Sequence, residues 1–139
     1  MSMDDTNQLS LSDIQREALV RAGVILAYVH GSVAQETSRM DSDVDIAVLF
    51  DSTPEDAVVA TTDVLRALAG FVSHREVDIA ILNTASPLLA QTVAVHGVLL
   101  YARSDADRMA FDIRAMHAYE FSRRITSIGR APHLASIAV

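Results

Sequence analysis

A chain of 139 residues that is half hydrophobic and about one-fifth charged suits one compact domain, able to bury roughly two-thirds of its unfolded surface. It has no cysteine, which excludes disulfides, thiolate metal sites and thiol nucleophiles. All 11 bases are arginine, which excludes the phosphate-loop lysine, the ATP-holding lysine of protein kinases and every Schiff-base or lysyl-adenylate mechanism.

The N-terminal segment, residues 1–9, is polar and expected to be flexible. Ser10 or Ser12 can cap a helix through about Ala22, with Ile14, Leu19 and Val20 on its apolar side and Gly23 ending it. Val24 to His30 (VILAYVH) is an apolar, β-branched run of strand length, followed at once by Gly31-Ser32 and a small-residue segment through Ser38. That order reads as strand, tight turn, short helix. Val44 to Phe50 (VDIAVLF) is a second strand with Asp43, Asp45 and Ala47 on one face. Ser52 or Thr53, followed by Pro54, starts a helix through about Ala69, with a stripe of Val58, Val59, Thr62, Leu65 and Leu68. Glu76 to Leu82 (EVDIAIL) is a third strand that repeats the Val-Asp-Ile-Ala of residues 44–47, with Asp78 in the place of Asp45.

Ser86-Pro87 opens another helix that Gly97 stops, and Val98 to Tyr101 is a short fourth strand. Ser104 with Asp107 makes a capping box for a long last helix over 104–128, beyond which 130–139 is expected to be flexible. That helix carries Met109, Ile113 and Met116 on one stripe and Phe111, Ala115 and Ala118 on another. Two apolar edges predict either a doubly buried helix or one edge on the sheet and one for a partner. One α/β domain, a mixed sheet of about four strands flanked by helices, accounts for residues 1–139.

Charge is concentrated. Residues 1–65 hold 12 acids and 3 arginines, whereas 66–139 hold 6 acids and 8 arginines, an overall balance of -7 that is not the footprint of a general nucleic-acid binder. No basic segment followed by an apolar run opens the chain, and no stretch has the length of a membrane span. A cytoplasmic protein without a membrane partner is expected.

Asp-x-Asp is common by chance in an aspartate-rich chain, and Asp41-x-Asp43 and Asp105-x-Asp107 read as solvated turn or cap residues. Asp43-x-Asp45 differs by context. Carboxylates at i and i+2 of a strand point the same way about 6.5–7 Å apart, and buried together without a cation they repel. Solvent exposure at an edge relieves that repulsion, and so do hard divalent cations such as magnesium, which accept carboxylate oxygens and leave sites for substrate phosphates. Asp78 can complete a cluster of three. Gly31-Ser32, at the end of the preceding strand, supplies backbone amides and a hydroxyl for an anion site that needs no lysine.

These residues resemble the minimal nucleotidyltransferases of the DNA polymerase β superfamily, of the prokaryotic type paired with HEPN-domain toxins. The signature is Gly-Ser, ten residues, then Asp-x-Asp, reading GSVAQETSRMDSDVD from Gly31 to Asp45, and the likeness runs from about Val24 through Tyr101. The resemblance implies that Gly31 and Ser32 contact the ATP triphosphate. Asp43 and Asp45 would hold two magnesium ions, and Asp78 would hold one of them while helping to deprotonate the acceptor hydroxyl. Attack on the α-phosphorus would expel pyrophosphate, and the acceptor in toxin-paired members is a tyrosine of the partner RNase. The chain would then be an antitoxin with a cognate HEPN toxin, forming a hetero-oligomer with it.

One departure stands out. Many relatives have Ala-Arg-Gly after the turn, whereas Ala34 is followed here by Gln35 and Glu36, leaving Arg39 as a replacement phosphate contact or as a solvated turn residue. Two alternatives follow: a non-catalytic antitoxin that occludes its toxin, or a nucleotidyltransferase acting on a small molecule such as an aminoglycoside. His30 either orients a phosphate or simply ends its strand. His117-Ala-Tyr119 resembles the end of the HEPN motif but lacks its upstream arginine, and reads as helix surface or core.

Overall fold

The computed structural model describes residues 10–31, 43–72 and 76–129. In chain order the elements are α1 (Asp13–Arg21), β1 (Val24–His30), β2 (Val44–Phe50), α2 (Ala57–Ala67), β3 (Val77–Ile81), α3 (Pro87–His96), β4 (Val98–Ala102) and α4 (Asp105–Gly129). The strands form one sheet in the order β3-β2-β1-β4. β1 runs antiparallel to both β2 and β4, while β2 and β3 are parallel, giving the expected mixed four-stranded sheet. The expected short helix after Gly31 and the flexible ends 1–9 and 130–139 lie outside the described residues.

Strand alternation divides the core in two. Val44, Ile46 and Val48 of β2 point to one face, where Leu19 of α1 and Val64 and Leu68 of α2 cover them. Ala47 and Leu49 point to the other, with Tyr28, Val93 of α3 and Phe111 and Ala115 of α4. Each wholly buried Val or Leu contributes about 1.5–3 kcal/mol relative to exposure, so this two-sided burial fixes which strand positions are left for polar groups. Asp43, Asp45 and Asp78 belong by alternation to the α3/α4 side.

The helix ends show where local chemistry sets boundaries. Ser12, rather than Ser10, caps α1: its hydroxyl accepts from the Gln15 amide at 3.1 Å and its own amide donates to Gln15 Oε1 at 2.9 Å. Gln15 Nε2 also donates to the Ala69 carbonyl at 3.0 Å, tying α1 to the end of α2. Asp56, not Ser52 or Thr53, caps α2 by accepting from the amides of Val58 and Val59. The buried stripe on α2 is also rotated from the expected one. Ala60, Val64, Ala67 and Leu68 are buried, while Val58 and Val59 are 75 % and 54 % exposed and Leu65 is also exposed. In α1 Leu19 is buried as expected, but Ile14 and Val20 face solvent.

Ser86 and Pro87 open α3 as expected. Ser104 accepts the Asp107 amide at 3.1 Å, yet the return half of the expected capping box is replaced. Asp107 takes a bidentate contact from Arg103, 2.7 and 3.0 Å, and Arg103 also reaches Asp51 at 3.3 Å. A charge-assisted fork on a planar guanidinium outcompetes a single amide donor. The Asn83 side chain completes the far end of β2, accepting from the Phe50 amide and donating to the Phe50 carbonyl at 2.9 and 3.0 Å.

Candidate active site

The repeated Val-Asp-Ile-Ala has a structural meaning. β3 lies beside β2 with Val44 against Val77, Asp45 against Asp78, Ile46 against Ile79 and Ala47 against Ala80. Identical patterns in parallel register put like residues side by side, Val and Ile into the α1/α2 core and Asp and Ala onto the opposite face. The Asp45 and Asp78 backbones thus stand about one strand spacing, ~4.8 Å, apart. Asp43 precedes β2 on the same side as Asp45, and the Val44 amide donates to the Glu76 carbonyl at 2.8 Å, holding the strand entrances together.

Exposure follows from this placement. Asp43 and Asp78 are exposed and Asp45 is half-buried, so water weakens the repulsion between neighbouring carboxylates. Among the described residues, no three acidic or histidine side chains converge closely enough to form a finished metal cage. The donor set nevertheless matches a hard cation: all-oxygen, anionic, on two adjacent rigid strands and open to solvent, which suits magnesium held by a few carboxylates plus substrate phosphate.

Gly31 closes the site on the β1 side. His30 pairs with Asp45 across the antiparallel ladder, and Gly31 follows at φ +77°, a left-handed conformation that L side chains rarely adopt. A Cβ there would lie 2.5 Å from Asp45 Oδ2. The backbone therefore passes close to the carboxylate, and a side chain at this position would have to displace the Asp45 oxygen as well as adopt a strained conformation. His30 is half-buried, and burial lowers its pKa while Asp45 opposes the shift, so the imidazole beside the acids favours its neutral form. Ser32 and Arg39, and with them Gln35 and Glu36, lie outside the described residues. Four of the six sequence-predicted site residues, Gly31, Asp43, Asp45 and Asp78, are thus brought to one end of one sheet face.

Further along this face Tyr28 is 1 % exposed, and its hydroxyl and one Asp112 oxygen are buried without a hydrogen-bond partner. Burial, then repulsion from Asp112, raises the phenol pKa, with Arg108 opposing. The sequence signal for this pair was slight: a lone tyrosine in an aliphatic strand. A groove of about 460 Å³ lies at the other end of β2, lined by Leu49, Phe50, Asn83, Arg103, Phe111 and Arg114 among others. Asp43, Asp45 and Asp78 do not line it.

Comparisons with known proteins place the chain among nucleotidyltransferases. The profile of the family described as polymerase beta, nucleotidyltransferase, matches residues 13–106. The chain is 28 % identical over 118 residues to the protein adenylyltransferase MntA of Shewanella oneidensis, covering 85 % of this chain and 81 % of that one. Its structure resembles a chain of a toxin–antitoxin complex crystallised with AMP-PNP, with a TM-score of 0.63 and 28 % identity over 81 % of this chain and 90 % of the other. It also shares its fold with a chain of the complex of tri-AMPylated Shewanella oneidensis HEPN toxin with MNT antitoxin, with a TM-score of 0.58 and 24 % identity over 92 % and 96 % of the two chains.

Proposed function

Because the chain belongs to the polymerase beta nucleotidyltransferase family, we propose that it is a protein adenylyltransferase antitoxin that moves AMP from ATP to a tyrosine hydroxyl of a cognate HEPN-family RNase toxin. The observation that carries this reading is the in-register pair Asp45 and Asp78, with Asp43 on the same side and the Gly31 backbone pressed against Asp45. The likeness to an adenylyltransferase and to a toxin–antitoxin chain solved with an ATP analogue supports it. Both partners of such a reaction would meet in the cytoplasm, where ATP and the RNase's substrates are found.

In this proposal Asp43 and Asp45 would hold two magnesium ions and Asp78 would share one of them; bound magnesium would screen the triphosphate and stabilise the charge that develops on the departing pyrophosphate. Gly31 presents backbone amide character to the phosphates where a side chain would collide. Ser32 adds a hydroxyl donor, and Arg39 supplies the positive charge that Gln35 does not. The tyrosine oxygen bonds to the α-phosphorus, the bridging oxygen between α- and β-phosphorus leaves with pyrophosphate, and the phenolic proton passes to Asp78. Strand placement is what makes these roles compatible, since groups on rigid β-strands keep their spacing when substrate binds.

The test is label transfer from ATP to the protein encoded beside this gene, in the presence of magnesium. Wild type is expected to label the toxin and abolish its RNase activity, and Asp43→Ala with Asp45→Ala to do neither while still folding. No transfer by wild type, or equal transfer by the double variant, overturns the assignment. Protection by the double variant without transfer would identify the occluding antitoxin instead.

A further inference from the structure

The sheet face that carries the acids has a further polar member. Along β1, Leu26 and Tyr28 lie in the core beneath α3 and α4, so alternation sends His30 to that same side, where it is half-buried. Register places it in line with the acids. His30 stands opposite Asp45, and Asp45 stands beside Asp78. Imidazole, carboxylate and carboxylate thus form one row across three adjacent strands, with neighbouring backbones about 4.5–5.5 Å apart. On the other flank β4 begins at Val98, opposite Val29, and the residue before it is Gly97, so the sheet supplies no side chain beyond the ring. Asp45 acts on the imidazole through its charge, and no described residue hydrogen-bonds to either ring nitrogen.

We propose that His30 is a nucleotide-contacting residue, its imidazole N–H donating to a non-bridging phosphate oxygen of ATP beside the cations that Asp45 and Asp78 would hold. This role rests on the nucleotidyltransferase reading above and adds a substrate contact to it. The row divides the work. Ionised carboxylates only accept hydrogen bonds, and they repel phosphate unless a cation lies between. An imidazole keeps at least one N–H in either protonation state, so His30 is the donor side chain that the row offers to the anion. Its anchor is rigid as well. Val24 to Val29 are all buried, which fixes the His30 backbone relative to Asp45, and a donor held in place loses little freedom when a ligand binds. A histidine that merely closes a strand commits its ring to the fold, whereas this one keeps a nitrogen for a ligand.

Titration calorimetry on the full chain, without toxin, tests it with AMP-PNP and magnesium, with inorganic tripolyphosphate and magnesium, and with manganese ion alone. His30→Leu and His30→Ala, with circular dichroism unchanged, should each weaken AMP-PNP and tripolyphosphate binding by about tenfold or more, as loss of one hydrogen bond to a charged group implies. Manganese affinity should stay at the wild-type value. His30→Gln, which keeps an N–H donor, should recover most of the loss. In AMP transfer to the toxin, the two variants without a donor should raise KM for ATP by the same factor and change kcat less. Unchanged affinity in both of them overturns the proposal. So does an equal loss of manganese binding, which would make the ring a partner of the cation or of Asp45, and so does a loss confined to AMP-PNP, which would put the ring on the nucleoside. A wild-type chain that binds neither AMP-PNP nor tripolyphosphate overturns the nucleotidyltransferase reading itself, and this contact with it.

Discussion

Replacing Gly31 by alanine separates catalysis from folding at a single atom. The new Cβ would lie 2.5 Å from Asp45 Oδ2, where ordinary contact needs about 3.4 Å, so the carboxylate must retreat by about 0.9 Å. Displacing a reacting or ligating group by about 1 Å costs on the order of 100-fold in rate. The left-handed backbone, at φ +77°, adds about 1–2 kcal/mol of strain in the folded state, which lowers Tm by roughly 4–8 °C for a chain of this size. The expected variant is therefore folded at 25 °C, melts several degrees early and transfers AMP about 100-fold more slowly. Labelled ATP with purified toxin gives the rate, and calorimetry gives Tm. Full transfer activity in a variant whose Tm falls as expected would refute the argument that Gly31 is required to keep the Asp45 carboxylate in place.

Three further outcomes follow from the packing. Val64→Ala should destabilise by roughly 1–3 kcal/mol because Val64 is wholly buried under the sheet, whereas Val58→Ala, at a position 75 % exposed, should stay within about 0.5 kcal/mol; urea unfolding distinguishes the two, and equal effects would contradict the rotated face of α2. Tyr28→Phe removes a buried hydroxyl that has no partner and should be neutral or stabilising by up to about 1 kcal/mol. Since folding raises the Tyr28 pKa, the native state keeps the proton above pH 10 where the unfolded chain loses it; this contribution is full below pH 10 and lost as pH rises through the raised value, and the variant should lack that alkaline decline in urea midpoint. Asn83→Ala should cost about 1–3 kcal/mol by leaving the Phe50 amide and carbonyl without their partner, read as a lower urea midpoint with unchanged slope.

The sequence by itself determined the element types, the glycine turn and the identity of the carboxylates. These are local matters: a β-branched run, a glycine before a small-residue segment, an aspartate at alternate strand positions. It also held the pairing of Asp45 with Asp78 in latent form, since two Val-Asp-Ile-Ala segments invite the same placement, but adjacency and parallel register came only with the sheet. Tertiary structure likewise chose the cap of α2 and the buried face that follows from it. Propensity cannot tell Ser52, Thr53 and Asp56 apart, and it is the docking of Val64 on β2 that sets the helix phase. It sent the Asp107 carboxylate to Arg103, because Arg103 is already anchored near Asp51 by the chain's approach to α4. It decided, finally, that of the two apolar edges of α4 only the one bearing Phe111 and Ala115 is buried. A periodic stripe records which residues share a face, whereas which face meets the sheet depends on where the rest of the chain has put it.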